Sequence, residues 1–220
     1  MTASDNLKHK ETEPGKLKVA NTQMAKLLDT YRMNRREHGV CEADREWMRE
    51  PIKLWCHEIT GGQESIAADS SPLMAIAVGM SETLPIRDAI IISMLCPRSM
   101  LSYKDLLRLC AEPYAQGNVQ ILCQSIDCAF TDPSMHPDVE RCRNGLDLLD
   151  VMVTAMPDAY HEQPLAIMGY ISWWLNREEG LDYAYQALQL NPQCTLASII
   201  TTAYQHGVKP AWVKRSRQNQ

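Results

Sequence analysis

The sequence predicts an all-α protein, an antiparallel helical bundle. Two observations carry this expectation. The 220 residues contain twelve methionines and a single phenylalanine, which points to a core of Met, Leu, Ile and Ala side chains. Such a core suits packed helices better than a sheet rich in aromatic and β-branched residues. Apolar residues also recur at spacings of three and four along most of the chain, most regularly from Val139 to Met156.

Residues 1–20 are polar and charged and include Pro14-Gly15. They carry too little apolar surface to offset the entropy of ordering, so a flexible arm is expected there. Residues 21–60 form an N-terminal helical segment. Met24, Leu27, Leu28 and Tyr31 stand at helical spacing, and the first helix ends near His38-Gly39. A second begins near Glu42 or Ala43, and Pro51 either kinks it or starts a third, with Ile52, Trp55 and Ile59 on one face. Residues 61–71 are a linker, because "TGGQESIAADSSP" (60–72) combines paired glycines, serines and a proline without apolar periodicity.

The main domain is expected over residues 72–212. Its first two apolar runs, Leu73 to Met80 and the segment around Ile90-Ile91-Ile92, are ambiguous between helix and strand by periodicity. Pro85 suits a first helical turn, and both runs are read as helices. Ser102-x-x-Asp105 resembles a capping box opening a short helix that stops before Pro113, and Asn118 starts another through Phe130. Asp132, Pro133 and Pro137 then break the chain. Val139, Cys142, Leu146, Leu149, Val153 and Met156 follow at spacings of three and four, which places them on one helical seam. Residues 213–220 form a basic tail.

Leu165, Met168, Ile171 and Leu175 line one face of a further helix; "NREEG" turns the chain, and Leu181, Ala184 and Leu188 describe an antiparallel partner. Leu196, Ile199, Ile200 and Ala203 continue on a third helix, closed by His206-Gly207. "YAYQALQLNP" (183–192) resembles the second half of a tetratricopeptide repeat, so the bundle is expected to end in a tetratricopeptide-like hairpin, although one unit alone is visible. Over about residues 84–212 the chain is similar to an uncharacterised, largely actinobacterial family known as domain of unknown function 4192. The likeness rests on "IRDAIII", "ISWWL", "YQALQLNPQCTLASII" and "AYQHGVKPAW". It implies the fold of the second half and an actinobacterial or phage origin. It implies no activity.

Charge and motif content narrow the function classes. Net charge is −5, and residues 61–212 carry 8 basic against 17 acidic side chains. A duplex-binding face needs clustered Lys and Arg, so the acidic body argues against nucleic acid as partner. The basic termini keep a nucleic-acid accessory role as an alternative. No window reaches the roughly 18 apolar residues of a membrane span, and the opening residues lack a signal-peptide core, so a cytoplasmic protein with no membrane partner is expected.

Eight cysteines and six histidines raise the alternative of an enzyme or metal protein. The closest pair, Cys123 and Cys128, is about 140° apart around a helix, and Cys41 with Cys56-His57 is no better placed. No nucleophile or phosphate-loop motif is present. No cofactor, metal or catalytic residue is therefore expected. The Arg87-Asp88 pair is read as a helix-start ion pair, with an interhelical clasp as the sharper alternative.

The remaining expectation is a non-catalytic protein–protein interaction or scaffolding module that binds a protein partner or a second copy of itself. Trp173 and Trp174 point about 100° apart on a helix, so one indole faces the stripe of Leu165 to Leu175; the other, Trp173, is read as packing in the core or on a flanking helix, with exposure as the sharper alternative. Trp173, Tyr183 and Tyr185 form the expected partner surface, since exposed aromatics make good anchors.

Overall fold

A computed structural model describes residues 14–62, 70–96 and 101–216. Among the described residues there are eleven α-helices and no strand: α1 (Pro14–His38), α2 (Val40–Glu58), α3 (Ser71–Glu82), α4 (Leu84–Leu95), α5 (Tyr103–Ala111), α6 (Gln116–Thr131), α7 (Val139–Ala155), α8 (Glu162–Trp174), α9 (Gly180–Leu190), α10 (Thr195–Gln205) and α11 (Ala211–Ser216). The all-α expectation holds. The arm expected over residues 1–20 is helical from Pro14 onward; a proline is readily accepted in a first turn, where its missing N–H leaves no bond unmade. Residues 1–13, the linker residues 63–69 and the tail residues 217–220 lie outside the described residues.

Pro51 neither ends α2 nor starts a new helix, for α2 runs through it. Two indoles hold that helix from its sides. Trp47 donates to the Ala75 carbonyl at 2.9 Å, and Trp55 donates to Ser93 Oγ at 2.8 Å. Tertiary anchoring of this kind outweighs the local penalty of one missing helical N–H. Both ambiguous apolar runs are helices with a proline in the first turn, α3 and α4. Ser102 and Asp105 cap α5 reciprocally, as their spacing predicts.

The buried core draws on α1 and α2 as well as on the later helices, with Met24, Tyr31, Met48, Ile52 and Trp55 in the same cluster as Ile90, Leu149 and Trp174. A buried polar contact joins α1 to α2. Tyr31 donates to Asp44 Oδ1 at 2.6 Å, and Arg35 Nε lies 3.0 Å from the same oxygen. Arg32 forks onto Glu82, tying α1 to α3 and holding the Glu82 carboxyl below its ordinary value.

Two helices depart from the expected faces. On α7 the buried positions are Arg141, Cys142, Gly145, Leu149 and Met152, with Val139 exposed. The seam has turned toward Gly145, where the Met94 side chain of α4 fills the space that a methyl group would take, its Sδ lying 2.3 Å from that position. α8 has no outer face at all. Eleven of its thirteen residues are buried, with α9 against it most closely and α7, α10, α3 and α4 around it.

Candidate functional site

The three residues expected to form a partner surface are not brought together. Trp173 is 1% exposed. Phe130 of α6 stacks on its ring at 4.6 Å, and its indole N–H donates to the Val208 carbonyl at 2.8 Å. The packed reading of Trp173 holds, and its place in the expected partner surface is corrected by the position of α8: a helix surrounded by helices can bury two successive residues that point 100° apart. The chain beyond Gly207, which adopts a positive φ of 63°, returns over these rings, and Trp212 donates to the Trp174 carbonyl at 2.9 Å. Tyr183 is half-buried, its hydroxyl pushed above the ordinary value by burial and then by Asp150 of α7. Tyr185, about 200° further around α9, is 43% exposed. Of the three, Tyr185 alone offers a free ring.

The more informative feature is a cavity of about 440 Å³ between α2, α4, the start of α5 and α7. Leu54, Ile59, Leu101 and Leu106 give it apolar walls, and among the described residues its basic lining is Lys53, His57 and Arg141, with no carboxylate. In a chain of net charge −5 this is a local reversal of sign. Cavities of this size and mixed lining are typical of small-molecule sites.

Arg141 is the group that defines it. Asp138 caps α7 by accepting from the Arg141 backbone N–H at 3.0 Å, which fixes where the side chain leaves the helix. The guanidinium then reaches the C-terminal end of α4, where Nη1 donates to the Cys96 carbonyl and the helix dipole favours a cation. Arg141 as a whole is 8% exposed. Its compensation is incomplete: Nη2 lies 3.4 Å from a half-exposed Asp138 carboxylate, and Nε is shielded from solvent with no hydrogen-bond partner among the described residues. A charge removed from water is costly unless it is paired and its donors are satisfied. Lys53, at the exposed margin, is 3.5 Å from Glu50.

A second cavity of about 480 Å³ lies over α6 and shares Cys96 and Leu101 with the first. Its wall includes Ile121, Ser125, Cys128 and Met135, and among the described residues its charged lining is Asp105. That carboxylate is already engaged by Ser102 and by Arg108 at 2.7 Å, which holds it below its ordinary value.

The four buried thiols carry no sign of activation. Burial pushes Cys96 and Cys194 up, and Cys142 up to about 12; Cys110 is raised further. A raised thiol is a poorer source of thiolate, the nucleophilic form. Among the described residues no three His, Cys, Asp or Glu side chains converge as metal ligands would. Arg87 bonds to its own neighbour Asp88 through Nε and Nη2, so that pair is a contact within α4 rather than a clasp between helices.

Sequence reasoning missed Arg141, Lys53 and Cys96 as a group. Cys96 and Arg141 are 45 residues apart, and each is unremarkable where it stands. A usable hint was Arg141 beside Cys142 on a strongly apolar seam, since an arginine next to a core position needs a partner. No family model matches the chain, and neither the curated proteins nor the solved structures contain a match to it.

Proposed function

We propose that the protein is a non-catalytic helical binding module whose ligand site is the cavity between α2, α4, α5 and α7, and that the ligand is a small organic anion. The observation that carries this is Arg141, a nearly buried cation whose Nε has no hydrogen-bond partner among the described residues, on a wall with no carboxylate among its described lining residues. An anionic group on the ligand would complete its pairing, and the leucine and isoleucine walls would take an apolar body. The non-catalytic half of the sequence-based expectation is retained. The protein–protein half loses its anchor with the burial of Trp173. A cytoplasmic location, and kinship with the family that the second half resembles, belong to the same proposal and rest on the sequence.

Thermal unfolding in the presence of hexanoate, hexylamine or hexanol tests it, because the three differ chiefly in the charge of the head group. Hexanoate is expected to raise the melting temperature by roughly 5–10 °C at about a hundred times its Kd, and the amine is expected to have no effect. Equal shifts from all three ligands, or none from hexanoate, would overturn the proposal.

A further inference from the structure

Cys96, at the end of α4, and Cys128, on α6, both line the second cavity and are near enough to act on each other electrostatically. The Ser125 hydroxyl bonds to the Cys96 thiol, and Cys128 stands three residues further along α6, on the same side of that helix. The two thiols are therefore neighbours across one helix contact. Burial pushes the Cys96 thiol up; the Ser125 hydroxyl opposes that shift, Cys128 adds to it, and the Arg141 guanidinium opposes it again.

We infer that Cys96 and Cys128 are a redox-active dithiol that exchanges with a small disulfide of the glutathione type and closes to an intramolecular disulfide. The inference is independent of the anion-binding reading. Cys128 is half-exposed and Cys96 is buried, which sets the order of events. The Cys128 thiolate attacks one sulfur of the oxidant, the oxidant's S–S bond breaks, and one glutathione leaves as a thiolate that takes a proton from water. Cys96 then loses its proton to solvent and attacks Cys128 Sγ. The bond between the two cysteines forms, the mixed disulfide breaks, and the second glutathione leaves. Two protein thiols are oxidised and one disulfide is reduced to two thiols.

The packing favours closure at this pair. The Cys96 N–H donates to the Ile92 carbonyl at 2.9 Å and its own carbonyl accepts from Arg141, so the thiol leaves from a fixed point. In α6, Asn118 and Ala129 are the fully buried residues, so that helix can shift toward disulfide geometry with little loss of packing. Cys56 and Cys110 also lie within electrostatic reach of each other, but burial and then Asp44 push Cys110 up, and it is 1% exposed.

The test is incubation of the reduced full chain with oxidised glutathione at low protein concentration, followed by alkylation of the remaining thiols and peptide mass mapping. A disulfide between Cys96 and Cys128 is expected, with loss of both from the alkylated set and recovery of both on reduction. Cys96→Ser is expected to hold Cys128 as its glutathione adduct, and Cys128→Ser to leave Cys96 reduced. The wild-type map alone decides, should either variant fail to fold. A persistent glutathione adduct at Cys128, a Cys128 that stays a thiol, or a bond from Cys128 to any cysteine other than Cys96 would overturn the inference. None of these results bears on hexanoate binding, which tests the anion site separately.

Discussion

Gly180 and Gly117 both lie in helices, yet a methyl group has opposite consequences at the two. At Gly180 a Cβ would stand 2.3 Å from the Tyr204 hydroxyl and 2.8 Å from the Gly169 carbonyl, where α8 and α9 touch. At Gly117 nothing lies within 4 Å. Gly180→Ala is therefore expected to destabilise by about 1–3 kcal/mol through overpacking, and Gly117→Ala to stabilise by about 0.4–1 kcal/mol through the unfolded chain; urea denaturation of the two variants checks both signs. Asp44 is a second residue with a definite expectation. Burial raises its carboxyl above the ordinary value, while the Tyr31 hydroxyl and Arg35 oppose the shift. A raised folded-state pKa means that the native chain holds the proton more tightly than the unfolded one. The stabilising contribution is fully present below the unfolded pKa and is lost as pH rises through the folded value. In Asp44→Asn the Tyr31 hydroxyl still has an acceptor, but this pH dependence disappears. Relative to the variant, wild type is expected to be less stable at about pH 7 than at about pH 4, read by denaturant midpoints at the two values.

At the scale of elements, α8 shows how much depends on what surrounds a helix. The 3.6-residue period correctly separates the directions of Trp173 and Trp174, and it says nothing about how many neighbours a helix has. The signal for full burial was nonetheless present, since residues 164–175 contain no charged side chain and a helix apolar all round is a buried one. Trp173→Ala is accordingly expected to cost about 3–5 kcal/mol, whereas Tyr185→Ala, at an exposed site, is expected to stay within about 0.5 kcal/mol. A large loss on removing Tyr185 would contradict this assignment of inside and outside. The α7 seam carries a related lesson. Its apolar spacing located a packed face, but the face centres on Gly145, a contact position that hydrophobicity does not mark.

At the scale of the molecule, the sequence made the helices legible because each is set by local features: capping at Ser102, prolines in first turns, and apolar spacing of three and four. The cleft was not legible, because it is assembled across α2, α4, α5 and α7 and no short window brings Lys53 or His57 together with Arg141. Arg141 acquires its meaning from the end of α4, which it caps, and from the cavity beside it. The account therefore stands on that guanidinium. Calorimetric titration of hexanoate into the wild type and into a folded Arg141→Gln variant, side by side, tests it most directly. The account predicts one site in the wild type and a loss of roughly tenfold to a hundredfold in affinity in the variant, the range for a hydrogen-bonded charge. Equal affinity in the two proteins would contradict it.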